Sequence, residues 1–125
     1  MTARNARYPY QAAVDAYGNG GFRFADMSHK GSVLCLPSGI YAWDAARPED
    51  LSVADFAFLL GELKPPHVLL LGTGATQMFV DSSIAKAFAD AGIGFEEMST
   101  GAAARTYNIL FAEKRLIAAA LLAVA

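Results

Sequence analysis

Near residue 44 the chain changes its hydrophobic rhythm. Before that point, short apolar stretches alternate with polar residues and are broken by turn formers, the pattern of half-buried strands. Alternation over 10–16 runs into Tyr17-Gly18-Asn19-Gly20-Gly21, where Gly and Asn accept the positive φ of tight turns. Phe22-Arg23-Phe24 is then predicted as a strand and Ser28-His29-Lys30-Gly31 as a second turn. Residues 32–36 form a third strand, Pro37-Ser38-Gly39 a third turn and residues 40–43 a fourth strand. The first third therefore reads as an antiparallel β-meander, with Tyr41 and Trp43 on one face and in the core.

Beyond Asp44 the period lengthens. Ser52 with Asp55 three residues on resembles a capping box, and Val53, Phe56, Ala57 and Leu60 then share one helical face. Pro65-Pro66 prevents that helix from continuing past Gly61 to Lys64. The unbroken run Val68-Leu69-Leu70-Leu71 suits a strand covered on both faces. Asp81-Ser82-Ser83 starts a second helix with Ile84, Ala87, Phe88 and Ala91 inward, closed by Gly92 and Gly94. Residues 93–98 form a strand, and Thr100 is read as the cap of a third helix reaching about Glu113. In residues 115–124 the alanines favour helix by propensity, whereas the continuous apolar character after a helix favours a buried strand, which we assign. Strand–helix alternation implies parallel strands with crossover helices, so the fold class is α/β. Residues 1–8 are polar and read as a loose N-terminus, and residues 9–125 as a single α/β domain.

Composition narrows the function classes. Apolar residues make up 54% and charged residues 18% of 125, which excludes disorder. The apolar surplus suits either a deeply buried sheet or a homo-oligomer interface. Net charge is −2 and the cations are scattered, so the clustered positive surface of a nucleic-acid binder is absent. The longest apolar run, 116–125, is about half of what a membrane-spanning helix needs. With no apolar signal segment at the start, a reducing, cytoplasmic compartment is expected. The lone Cys35 has no disulfide partner and reads as a small buried hydrophobe. His29, in a turn, and His67, at a strand start, lack metal-ligand spacing and read as ordinary surface or strand-edge residues. No serine lies in a G-x-S-x-G elbow, and Glu96 and Glu97 are adjacent on a strand and face opposite sides. No catalytic constellation, metal site or cofactor is indicated.

Two segments remain as candidates. Gly72-Thr73-Gly74 follows a buried strand, at the end where α/β sheets collect ligands, and its glycines let backbone N–H groups approach an anion. The spacing rules out the dinucleotide fingerprint and the P-loop: Gln77 occupies the third glycine position and the helix starts late. The alternative is a tight strand exit without a ligand. The second segment runs from Thr100 and Gly101 through Arg105-Thr106-Tyr107-Asn108. It opens a helix, with free N–H groups and small residues that admit close approach. Arg105 either holds a carboxylate or phosphate or pairs internally with Glu96, Glu97 or Asp81. On the first reading Gly72, Thr73, Gly74, Thr100, Gly101, Arg105, Tyr107 and Asn108 form one cleft for a small anionic ligand.

Several phrases recur together in a known family: Tyr17-Gly18-Asn19-Gly20-Gly21-Phe22-Arg23, Gly31-Ser32, Leu36-Pro37-Ser38-Gly39, Trp43, Leu69-Leu70-Leu71-Gly72-Thr73-Gly74, Gly92-Ile93-Gly94 and Met98 to Asn108. In their order and spacing the chain resembles the small-domain family that includes mitochondrial respiratory complex I assembly factor three and the adipogenesis-associated domain proteins. The likeness spans roughly residues 16–124 and looks like that of a bacterial member. It implies three layers, with a β-meander on one side of a central mixed sheet and helices around it. It also implies an uncharacterised protein of a family with no established enzymatic activity, which we read as a non-enzymatic assembly or interaction factor related to complex I biogenesis, the alternative being a small-molecule binding module or an undiscovered enzyme with its cleft at the 72–74 loop and Thr100. The chain departs from the family at Ala104, where many relatives carry cysteine, and at Lys114, where glycine is common. Ala104 argues against thiol chemistry here.

Overall fold

The computed structural model describes residues 6–125. Its first strands are β1 (Ala16–Gly18), β2 (Gly21–Phe24) and β3 (Met27–Lys30), which form a small antiparallel sheet in that order. The β1–β2 turn is the expected Asn-Gly pair, with φ of 52° at Asn19 and 79° at Gly20. The second expected turn is displaced. Ser28, His29 and Lys30 are strand residues, and the chain turns at Ala25 and Asp26 instead, both with positive φ. Gly31, at φ 94°, then ends the small sheet.

The central sheet starts at β4 (Ser32–Leu36) and β5 (Gly39–Trp43), so the expected four-strand meander is divided between two sheets. A 3-10 turn (Val53–Phe56) leads into one α-helical turn, α1 (Ala57–Leu60). The carboxylate of Asp55 accepts the Ser52 N–H at 2.8 Å, as the capping pattern requires. The remaining elements alternate: β6 (Val68–Gly72), α2 (Ser82–Asp90), β7 (Gly94–Met98), α3 (Thr100–Ala112) and β8 (Ile117–Leu121). The strand order is β5-β4-β8-β6-β7. β8 runs antiparallel to β4 and parallel to β6, which makes the sheet mixed.

Alternation along the inner strands explains the layers. Leu34, Leu36, Leu69, Leu71, Ala118 and Ala120 point to one face, where Phe56, Leu59, Ile84 and Phe88 cover them. Val33, Cys35, Leu70, Ala119 and Leu121 point to the other, under Phe22, Phe24, Ala103, Ala104 and Tyr107. Thus α1 and α2 lie on one side, and α3 with the β1–β3 sheet on the other. The alanines of β8 are strand residues because a central strand buried on both faces overrides helix propensity. Of the terminal segment read as loose, residues 1–5 lie outside the described residues. Arg7 and Tyr8 are docked: the Arg7 N–H donates to Ile40 C=O at 2.7 Å, and Tyr8 C=O accepts from the Ile40 N–H at 3.0 Å.

Candidate functional site

The loop after β6 and the start of α3, read from the sequence as the two sides of a ligand cleft, are bonded directly to each other. The Gly74 N–H donates to Thr100 Oγ1 at 3.0 Å, and the Thr100 N–H donates to Gly74 C=O at 2.8 Å. Thr100 Oγ1 in turn donates to Leu122 C=O at 2.7 Å. The Thr73 N–H donates to Met98 C=O at 2.8 Å, while Thr73 Oγ1 accepts the Met78 N–H at 3.0 Å. The backbone donors of Thr73 and Gly74 are therefore spent inside the fold. Thr100 is the first residue of α3 rather than its cap. That role belongs to Ser99, whose hydroxyl accepts the Ala102 N–H at 3.2 Å.

Tyr107 and Asn108 hold the segment before β1. Tyr107 is fully buried, and its hydroxyl donates to Ala12 C=O at 2.8 Å. Asn108 accepts the Val14 N–H on Oδ1 and donates from Nδ2 to Val14 C=O, both at 2.8 Å, as a partner strand would. Beneath Tyr107 lies Cys35, also fully buried. Burial pushes its thiol up to about 12, so it remains protonated and inert at neutral pH. Burial raises the Tyr107 phenol as well.

Arg105 stands apart from these contacts. It is exposed and lines a concavity of about 330 Å³ together with Asp15, Ala16, Tyr17, Gly101 and Asn108. Among the described residues it joins no ion pair: Asp81 instead caps α2, and Glu97 accepts the Val80 N–H at 2.6 Å. The structure thus distributes the eight sequence candidates over three places. Gly72, Thr73, Gly74 and Thr100 form an internal staple, Tyr107 and Asn108 clamp residues 12–14, and Gly101 and Arg105 face the concavity, which Asn108 also lines.

Tyr17 is the residue the sequence reading missed. It is half exposed, and its hydroxyl occupies the space that a Cβ at Gly101 would fill. The small residue at the helix start signalled a close approach, and the chain's own tyrosine makes it. Ile109, one turn beyond Arg105, is 58% exposed. His29 also differs from expectation. It is buried, and its Nε2–H donates to Ser32 C=O at 3.1 Å. Among the described residues no His, Cys, Asp and Glu side chains gather as a metal site, and no helix is long and apolar enough to cross a membrane.

The mixed five-stranded sheet, the small sheet above it and the stapled loop define a compact three-layer α/β protein. The chain belongs to the family described as proteins of unknown function (DUF498/DUF598), whose profile matches residues 14–122. An uncharacterised protein of Rhodobacter capsulatus is 33% identical over 98% of this chain and 93% of its own. NADH dehydrogenase [ubiquinone] 1 alpha subcomplex assembly factor 3 of Danio rerio is 34% identical over 87% of this chain, and the human form 28%. The chain spans 63% of the fish factor and 59% of the human one. Among solved structures, a Bartonella henselae protein described as an outer membrane protein is 46% identical, with a TM-score of 0.90 over 95% of this chain and 100% of its own. A Rhodopseudomonas palustris protein is 38% identical, with a TM-score of 0.83 over 99% of this chain and 92% of its own.

Proposed function

We propose that this chain is a non-enzymatic interaction factor in the biogenesis of respiratory complex I, acting in the cytoplasm through protein partners. The observation that carries this reading is the likeness to the complex I assembly factors, which extends over 87% of the chain for the fish factor rather than through one motif. The partner-facing surface is the concavity at Arg105, flanked by Tyr17 and Ile109. Interface hot spots are enriched in arginine and tyrosine, and an arginine that joins no ion pair among the described residues is available for one.

The test is crosslinking in cells that express the tagged chain, followed by identification of the captured proteins. Complex I subunits or assembly proteins are expected, and Arg105→Ala and Ile109→Asp should each reduce their yield. Recovery of background proteins alone sinks the proposal.

One observation supports a second reading. The Arg105 guanidinium faces an open concavity, where a small ligand's carboxylate or phosphate can take both of its N–H edges. Thermal-shift screening with inorganic phosphate, nucleotides and dicarboxylates tests it. Stabilisation that survives Arg105→Ala excludes this site.

A further inference from the structure

The two edges of the central sheet differ. At the β5 edge, Arg7 and Tyr8 bond both backbone groups of Ile40, so the chain covers its own strand. At the other edge, among the described residues, β7 pairs only with β6. Backbone groups alternate sides along a strand. The Gly94 N–H bonds His67 C=O, and Met98 C=O accepts from the Thr73 N–H, so residues 94, 96 and 98 face β6. Phe95 and Glu97 therefore present their N–H and C=O groups outward. One of these four groups is used: Glu97 C=O accepts Gln77 Nε2 at 2.8 Å.

The surroundings of this edge are specific. The loop that bonds Glu97 carries Phe79, 81% exposed, and Met78, 44% exposed. Glu96 is exposed in the middle of the strand, and the neighbouring charges at Asp81 and Glu97 are also acidic. Pairing of β7 with a second copy about a two-fold axis at its centre would set Glu96 against Glu96, a repulsive cross-strand pair. Edge charges of this kind block self-pairing but leave the backbone groups open to a complementary strand.

We propose that β7 is a docking edge that accepts an extended segment of a partner protein as a sixth strand, with basic side chains on the Glu96 face and apolar side chains beside Phe79. Main-chain hydrogen bonds to the N–H and C=O of Phe95 and the N–H of Glu97 supply the attachment, and Glu96 selects the charge of the partner. This surface is separate from the Arg105 concavity, and neither proposal depends on the other.

The experiment measures amide hydrogen exchange of the intact chain with capped hexapeptides of alternating valine and lysine, or valine and glutamate. The lysine peptide should slow exchange at Phe95 and Glu97 by about tenfold or more at saturation, with the glutamate peptide inert. Glu96→Lys, at an exposed position, should exchange the two peptides' effects, and Phe79→Ser should weaken the lysine peptide several-fold. Unchanged exchange at millimolar peptide overturns the proposal. So does equal protection by both peptides, or protection that grows with protein concentration alone, which would assign the edge to a second copy.

Discussion

Gly72 and Thr100 touch at the limit of close packing: a Cβ on Gly72 would lie 2.9 Å from Thr100 Cα and 3.0 Å from Oγ1. The glycine thus lets the start of α3 sit on the end of β6, where Thr100 ties Gly74 to Leu122. Gly72→Ala should cost about 1–3 kcal/mol, because backbone rather than a flexible side chain stands in the way. Thr100→Val keeps the shape but strands the Gly74 N–H and the Leu122 carbonyl, for a loss of about 1–3 kcal/mol. Urea denaturation measures both. A Thr100→Val protein as stable as the parent would show that the staple contributes nothing.

The clamp between Asn108 and Val14 makes a separate claim. Ahead of the first strand, Tyr107 holds Ala12 and Asn108 holds Val14, while the Asp15 N–H donates to Arg23 C=O at 2.8 Å. Asn108→Ala leaves both backbone groups of Val14 without partners and should cost about 1–3 kcal/mol, more than the roughly 0.5–1.5 kcal/mol expected for Tyr107→Phe. Limited proteolysis should also cut the Asn108→Ala protein earlier, within residues 9–16. Equal cleavage rates in parent and variant would mean that the segment is held by other contacts.

Three positions, in two turns, carry backbone strain that substitution can relieve. Ala25 and Asp26 form the β2–β3 turn at φ 49° and 61°, a conformation that suits Asn-Gly. Lys114 follows α3 at φ 61°, and its N–H bonds Phe111 C=O at 2.9 Å, the helix-ending position that favours glycine. The double change Ala25→Asn with Asp26→Gly, and Lys114→Gly alone, should each stabilise by about 1 kcal/mol, read as a higher melting temperature. A lower melting temperature for Lys114→Gly would mean that the lysine side chain outweighs the strain.

The same turn shows where the sequence misled. Ser28-His29-Lys30-Gly31 has the composition of a turn, whereas Ala25-Asp26 does not, so local chemistry moved the turn three residues downstream. Cross-strand pairing of Phe22 with His29 decides the matter, and it is not local. The second half was more legible. Val68 to Leu71 and 117–121 are apolar on both faces, and their shortness and place after a helix favoured a central strand over the helix that the alanines of 117–121 prefer. The glycines of the 72–74 loop did signal a close approach, but the sequence left open that Thr100, rather than a ligand, makes it. The openness of Arg105 was not legible, because it depends on where residues 14–17 lie. Nor was the division of the eight candidates, because Asn108 reads identically whether it binds a ligand or the chain's own Val14.

His29 gives the fold a pH dependence that sets in as pH falls through the ordinary histidine range. Burial is the main cause that holds its pKa below the ordinary 6.5, and Arg7 adds to it against the opposing bond to Ser32 C=O. The unfolded chain therefore binds a proton at a higher pH than the folded one. Between the ordinary value and the lowered one, unfolding takes up a proton, so stability falls as pH falls. The contribution is complete above about pH 6.5 and shrinks as pH drops toward the folded value. The exposed Glu49 and Asp81, both shifted down from 4.5 and 3.8, contribute in their own windows, which begin below those values. His29→Gln retains a donor for the Ser32 carbonyl and removes the titration. Its melting temperature should change less between pH 7.5 and 5.0 than that of the parent. Parallel curves over that interval would mean that His29 titrates normally in the fold.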